Sequence, residues 1–421
     1  MKAVGLITEY NPFHNGHQYH LQQSIKASGA KVAVAVMSGH FLQRGMPAFL
    51  DKWVRTEMAL AGGVDVVLEL PIPWACNSAP HFAAGAIASL TACGVESFCF
   101  GSERGELAPL QACATFLTSS SGQIEQETAQ ALRNGISYPI ARSTAVQDHS
   151  DFAELLATPN NILGIAYLQA LAQINSSTRP LTIRRIGAGY HDAAPQGEIA
   201  SATGIRHLFG QGVDVVKFLP VAVRPLFQQA LDTGRSLDSN FLFRLLAARL
   251  MSEPSSLTHI YQVEDGIAAR LCQQARHATS LSELINAVKV RHLTVSRIQR
   301  ILTYIFLDLA AVEINEQLDY GPAYLRLLGA THKGEAFLAA TRKDRTLPLL
   351  ANLSRAPAQL KKYYGESSPT CRRAQTLLSL ETRATRHYTL LMQGWTGSDR
   401  NRDYFETVRR SESEDVGGQE K

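Results

Sequence analysis

Short, almost unbroken apolar runs alternate with amphipathic stretches through the first half of the chain, and then the alternation stops. Ala3 to Ile7 (AVGLI), Lys31 to Met37 (KVAVAVM), Val64 to Leu70 (VDVVLEL) and Val95 to Phe100 (VESFCF) each read as a strand buried on both faces. Between them Asn15 to Lys26, Asp51 to Ala61 and Pro80 to Cys93 are helix-compatible, and Thr182 to Ile186 reads as a fifth strand. Such strands separated by helices predict a parallel sheet covered on both faces. From about Val215 onward the pattern is helical, including Asn240 to Met251, Val263 to His277, Val295 to Ile314 and Pro322 to Leu328. The fold class is therefore α/β with a parallel sheet, followed by an all-α C-terminal domain. The expected division is 1–214 and 215–398, with a polar tail, 399–421, expected to be disordered.

Composition narrows this picture only a little. At 421 residues the chain exceeds the usual single-core size, so two domains are expected. An apolar content of 45% beside 19% charged residues is that of a soluble globular protein. The run ILTYIFLDLAAVEI is too short to span a bilayer and contains Asp308. No signal peptide is expected, since Met1-Lys2 leads straight into a strand. Six cysteines without Cys-x-x-Cys spacing read as reduced, mostly buried thiols, which together point to the cytoplasm.

Charge is more telling. The net charge is +4, but Arg291 to Arg386 holds 15 Lys and Arg against 8 Asp and Glu, a net +7. The remainder is then slightly acidic, at −3. Such a split suggests that a polyanion docks on the C-terminal half, although a solvated helical surface would look the same. Arg291, Arg297 and Arg300, with His292 and Tyr304 nearby, offer phosphate contacts and a stacking ring; Lys333 and Arg342 belong to a second cluster.

Candidate chemistry sits where the first strand ends. His14-Asn15-Gly16-His17 falls at the start of the first helix, whose unpartnered N–H groups and dipole form an anion site. Gly16 lacks a side chain where a phosphate would approach, and His14 and His17 could donate to phosphoryl oxygens. His-x-Gly-His alone is equally compatible with a polar turn. If the first and fourth strands are neighbours, Gly101 joins these histidines around one nucleotide. Arg44, in the loop Ser38 to Gly45, is a candidate to hold a carboxylate or phosphate. Asn161 is suited to capping the helix that Pro159 opens, and of Arg184 and Arg185 only one can face the nucleotide.

The block TEYNPFHNGHQYHL resembles the His-x-Gly-His motif of the nucleotidyltransferase superfamily. A longer match, through SGHFLQRGMPAFLDKWVRTEMAL, FGSE, PNNILGIAYLQAL, RRIGAGYHD, SATGIR and, more diffusely, YLRLLGATHKGEAFL, resembles the bacterial tRNA(Met) cytidine acetate ligases. That resemblance implies a Rossmann-like nucleotidyltransferase domain with His14 and His17 as catalytic residues. It implies ATP contacts from Ile7, Thr8, Glu9, Tyr10, Asn11, Pro12, Phe13, His14, Asn15, Gly16, His17, Gln18, Tyr19 and His20, and from Gly101, Asn161, Arg185 and Ile186. Ser201, Thr203 and Arg206 resemble a second superfamily motif and would hold the β- and γ-phosphates. The family more often carries Asn at the position of His40.

The implied reaction is acetate activation by ATP to acetyl-adenylate, then acetyl transfer to N4 of the wobble cytidine of elongator tRNA(Met). Mg²⁺ is expected with the ATP phosphates and no dedicated metal-ligand cluster is seen. No membrane and no obligate protein partner are expected. The alternatives are a small-molecule adenylyltransferase, which needs no basic half, and a non-catalytic nucleotide-sensing RNA-binding protein, which would not turn over.

Overall fold

The computed structural model describes residues 1–120, 150–186, 197–291 and 293–411, with residues 122, 126–128, 130, 131, 141 and 144. Eight strands among the described residues form one sheet: β1 (Ala3–Thr8), β2 (Val32–Ser38), β3 (Val66–Leu70), β4 (Ser97–Ser102), β5 (Arg179–Arg184), β6 (Leu325–Thr331), β7 (Leu349–Leu350) and β8 (Arg409–Ser411). Their order is β5-β4-β1-β2-β3-β6-β7, and β8 shares the outer edge of β6 with β7. The first five strands are parallel, as their unbroken apolar runs predict. Parallel neighbours need crossovers, which α1 (Asn15–Ser28), α2 (Lys52–Ala61) and the helix Ala79–Cys93 supply.

Side chains alternate across the sheet with the period of two that strand geometry dictates. Val32, Val34 and Val36 pack into one core with Leu68, Trp74 and Phe82. Ala33, Ala35 and Met37 face the other, with Phe13, Phe218 and Phe227. A third core lies among the helices, built on Leu246, Leu271, Ile301 and Tyr388.

Three expectations are corrected. Pro322–Leu328 is not helical: Leu325–Thr331 is β6, which runs antiparallel to β3. A short apolar run cannot be assigned by periodicity alone, and here the free edge of β3 decided it. The expected disordered tail is ordered as far as Ser411, forming a helical turn, the short helix Arg402–Phe405 and β8. Residues 412–421 lie outside the described residues. The expected single helix Val295–Ile314 is also two, Val295–Leu307 and Ala311–Tyr320, parted by Asp308 in the left-handed region (φ 52°).

The tail is anchored by charge rather than by apolar bulk. Asp403 Oδ1 lies 2.9 Å from Lys52 Nζ and 2.7 Å from Arg326 Nη1. Glu69 closes the cluster, with Oε1 2.8 Å from Lys52 and Oε2 3.0 Å from Arg326. Burial alone would raise the Asp403 pKa, but Arg326 and Lys52 outweigh it and hold the carboxyl well below its usual range. That ionised pairing contributes stability above the ordinary carboxylate pKa, which is lost as pH falls toward the depressed value. Asp403→Ala leaves Lys52 and Arg326 under-compensated and should cost about 3–5 kcal/mol in urea unfolding. Glu335→Ala, which breaks an exposed pair with Arg410, should cost no more than about 1 kcal/mol.

Candidate active site at the strand-order reversal

β1 pairs with β2 on one side and β4 on the other, so strand order reverses at β1 and the loops after β1 and β4 share one crevice. The first loop delivers two histidines that cap α1 reciprocally. His14 is the N-cap, and its Nδ1 accepts from Gly16 N at 3.0 Å, while His17 Nδ1 accepts from His14 N at 3.4 Å. The rings stack with centroids 3.7 Å apart. With Nδ1 an acceptor, a neutral His14 carries its proton on Nε2, leaving that N–H as its donor. Gly16 has a more specific reason than phosphate approach: a Cβ there would lie 2.9 Å from the His14 ring.

All three histidines of this turn are held neutral. Burial, then the charges of Arg185 and Arg206, pushes His14 down to about 3. Burial and Arg185 lower His20 to about 4, and burial, His14 and Arg185 hold His17 well below its ordinary value. Tyr10, at φ 47°, packs edge-on against His17 with centroids 5.0 Å apart. His20 Nε2 is buried with no hydrogen-bond partner among the described residues.

Two arginines flank the histidines. Arg185 follows β5, donates its N–H to Ser102 O at 3.1 Å and lies over Gly101, where a Cβ would be 3.1 Å from its Cγ. Arg184 turns the other way, against Gly105. Arg206 donates to Asn11 O at 2.6 Å, and its helix, Ala202–Gly210, is capped by Ser201 accepting from Gly204 N at 3.0 Å. Thr203 receives a further bond from Arg206 at 3.3 Å. Arg44 and Arg206 both neighbour the Glu9 carboxylate, which accepts from Gln43 N at 2.9 Å.

Several sequence candidates serve as scaffold. Asn15 donates to Glu198 O and Lys217 O, joining α1 to the segment around the second motif. Asn161 does not cap its helix; Thr158 is the N-cap, and Glu103 accepts from Asn160 N and Asn161 N. The buried Asn161 amide instead accepts from Glu103 N and Arg104 N at 3.1 and 3.2 Å, shaping the loop after β4. Ile7, Gln18 and Tyr19 are half-buried and Ile186 is exposed, while Thr8, Pro12 and Phe13 are buried. His40 is buried, stacked on Tyr388 at 4.3 Å and edge-on to Trp53, behind the site rather than in it.

The basic residues divide. Arg291 is exposed and Arg297 is half-buried, paired with Glu264 at 3.4 Å. Arg300 turns inward, because Gly45 (φ 88°) brings the loop after β2 onto its backbone. Lys333 pairs with Asp65 at 3.1 Å, just before β3, and Arg342 follows Thr341, which lies against Gly94 ahead of β4. Both sit at the end of the sheet opposite His14. His292 lies outside the described residues, as do Gly187 to Asp192. Sequence reading missed Arg55, whose guanidinium is buried among backbone carbonyls beside this site. Among the described residues no group of three or more His, Cys, Asp or Glu is arranged to hold a metal ion, and no helix is long and apolar enough to cross a membrane. All six cysteines are buried.

The HIGH Nucleotidyl Transferase family profile matches residues 1–403, which places the mostly parallel sheet and the paired histidines capping the helix after its first strand in the nucleotidyl transferase class. The tRNA(Met) cytidine acetate ligase of Syntrophotalea carbinolica is 52% identical, covering 96% of this chain and 98% of that protein. That of Bacillus subtilis is 39% identical, covering 84% and 88%. The crystal structure of Thermotoga maritima TmcAL bound with alpha-thio ATP superposes with TM-score 0.88 at 31% identity, covering 98% of this chain and 100% of that one. The chain belongs to the tRNA(Met) cytidine acetate ligase family.

The neutral histidines carry a stability signature. Their folded pKa values lie below 6.5, so their contribution is complete above pH 6.5 and is lost as pH falls through the range in which the unfolded chain takes up protons. The Tm should therefore drop between pH 6.5 and 4, and His20→Gln should make that drop shallower in calorimetric scans.

Proposed function

We propose that this protein is an ATP-dependent ligase that activates acetate as acetyl-adenylate and transfers the acetyl group to N4 of the wobble cytidine of elongator tRNA(Met), giving N4-acetylcytidine. The observation that carries this reading is the reciprocal His14–His17 cap at the crevice between β1 and β4, flanked by Arg185 and Arg206. In the first step an acetate oxygen attacks the α-phosphorus of ATP. A new P–O bond forms, the bridge to the β-phosphate breaks, and pyrophosphate leaves. Such a displacement needs positioning and charge stabilisation rather than a protein nucleophile. His14 donates from Nε2 as negative charge grows, and the α1 N-terminus adds its dipole. The permanent positive charge comes from the arginines: Arg206, beside Ser201 and Thr203, toward the terminal phosphates, Arg185 toward the nucleotide, and Arg44 toward acetate or phosphate.

In the second step the cytidine N4 nitrogen attacks the acetyl carbon, the bond to the AMP oxygen breaks, and N4 gives up one proton. Mg²⁺ is a hard cation that takes few protein ligands, so it would be held by ATP rather than by a protein cluster and would offset the charge of the phosphates. The division of labour follows the chain: nucleotide chemistry in 1–214, tRNA binding in 215–398. Arg291 and Arg297 are assigned as tRNA contacts. Lys333 and Arg342 would meet only RNA remote from the reacting base, and Arg300 acts through the loop it supports. A tRNA substrate implies that the protein works in the cytoplasm.

Incubation with ATP, labelled acetate and total tRNA, followed by nucleoside mass analysis, should yield N4-acetylcytidine. Efficient acetylation by acetyl-coenzyme A without ATP would overturn this reading. A dinucleotide product would indicate a small-molecule adenylyltransferase, and no ATP–pyrophosphate exchange would indicate a binding protein. His14→Ala or His17→Ala should lower acetate-dependent exchange by on the order of 10²–10³ with the fold retained. Replacing Arg291 and Arg297 together by alanine should weaken tRNA binding and flatten the slope of log affinity against log salt by roughly 0.9 for each phosphate no longer neutralised. Exchange without tRNA should persist in that variant.

A further inference from the structure

The ladder between β1 and β2 runs from Ala3↔Val32 to Thr8↔Met37 and stops there. The next residues, Glu9 and Ser38, part company, because the first chain turns into the histidine motif and the second into the loop 39–50. Two strands that separate leave carbonyls that can no longer share a ladder, and buried carbonyls need donors. Arg55 supplies them from α2. Its Nη1 donates to Glu9 O at 2.7 Å and to Ser38 O at 3.0 Å, its Nη2 to Gly39 O, and its Nε to Leu50 O at 3.0 Å.

The side chain is fully buried, and no ion pair joins it among the described residues. A guanidinium carries five N–H donors in one rigid plane, so a single side chain fixes the relative placement of three separate backbone segments. Those segments lead directly to the proposed substrate contacts. Glu9 holds Gln43 N at 2.9 Å, Arg44 follows Gln43, and His14 lies five residues beyond Glu9. Arg55 itself is held from behind, since the α2 N-cap Asp51 accepts from Trp53 N and Val54 N and binds Arg402 at 2.6 Å.

We propose that Arg55 is a positioning residue for acetate activation: it sets the loop carrying Arg44 against the turn carrying His14, so that both address one reacting pair. This rests on the function proposed above. Lysine keeps the charge but presents a single nitrogen, which cannot span the three segments. In Arg55→Lys, acetate-dependent ATP–pyrophosphate exchange should show an acetate KM raised at least about tenfold and a kcat lowered on the order of 10²-fold. The KM for ATP should rise less than that for acetate, because Arg185 follows β5, outside the segments that Arg55 holds. A merely structural role would lower only the active fraction and leave both KM values at those of the unmodified protein, and that result would overturn the proposal.

If Arg55→Lys does not fold, hydrogen exchange on the unmodified protein decides. The amides of 9–13 and 38–50 should open as one unit, and a non-hydrolysable ATP analogue with acetate should slow them together. Independent opening of the two segments overturns the proposal. If the unmodified protein shows no acetate-dependent exchange, the functional reading fails by itself, and the hydrogen-exchange measurement still tests the clamp.

Discussion

Five ionisable side chains, Lys52, Glu69, Arg326, Glu381 and Asp403, meet out of reach of water, and the fold depends on their meeting. They come from α2, β3, β6, the helix Pro369–Thr389 and the C-terminal segment. An isolated charge in a dry interior costs more than a protein's whole stability margin, so each must find its partners in one register. Burial and the neighbouring Glu69 raise the Glu381 carboxyl well above the usual range, and that carboxyl accepts from Ile72 N. The cluster sits beneath the loop after β2. A Cβ at Gly39 would lie 2.6 Å from Glu69 Oε1, which is why the loop starts with glycine.

The same cluster explains how a distant tail can matter to chemistry at the first motif. Arg402 and Asp403 secure the start of α2, α2 presents Arg55, and Arg55 joins the turn after β1 to the loop after β2. His40 is caught in this chain of contacts, and both its ring nitrogens are buried without a partner among the described residues. Burial, then Lys52, holds it neutral. Its aromatic face against Tyr388 and Trp53, rather than its proton, is what it contributes.

At the crevice the electrostatics divide between two residue types. The histidines are neutral because they are desolvated beside arginines, so what they present is an N–H dipole rather than a charge. Arg185 and Arg206 hold full charges at the rim, where an anion would replace the lost hydration. Neutral donors inside and fixed cations outside suit a substrate whose charge moves during reaction.

The parallel strands and the motif between the first strand and helix were legible in the residues alone. Unbroken apolar runs and the motif His14 to His17 where the first of them ends are local properties, read without knowing what lies opposite. Arg185 was marked over Arg184 through a resemblance, and strand geometry sends their side chains apart. What local pattern could not supply were the partners. Leu325–Thr331 became a strand because β3 had a free edge, and Asp399–Ser411 became ordered because Lys52 and Arg326 needed a counter-charge. The turn of Arg300 inward and the placing of Lys333 at the far end of the sheet likewise followed from packing. Arg55 was invisible for the same reason: its partners are backbone carbonyls, which every residue has, and packing in three dimensions chose which four it would hold.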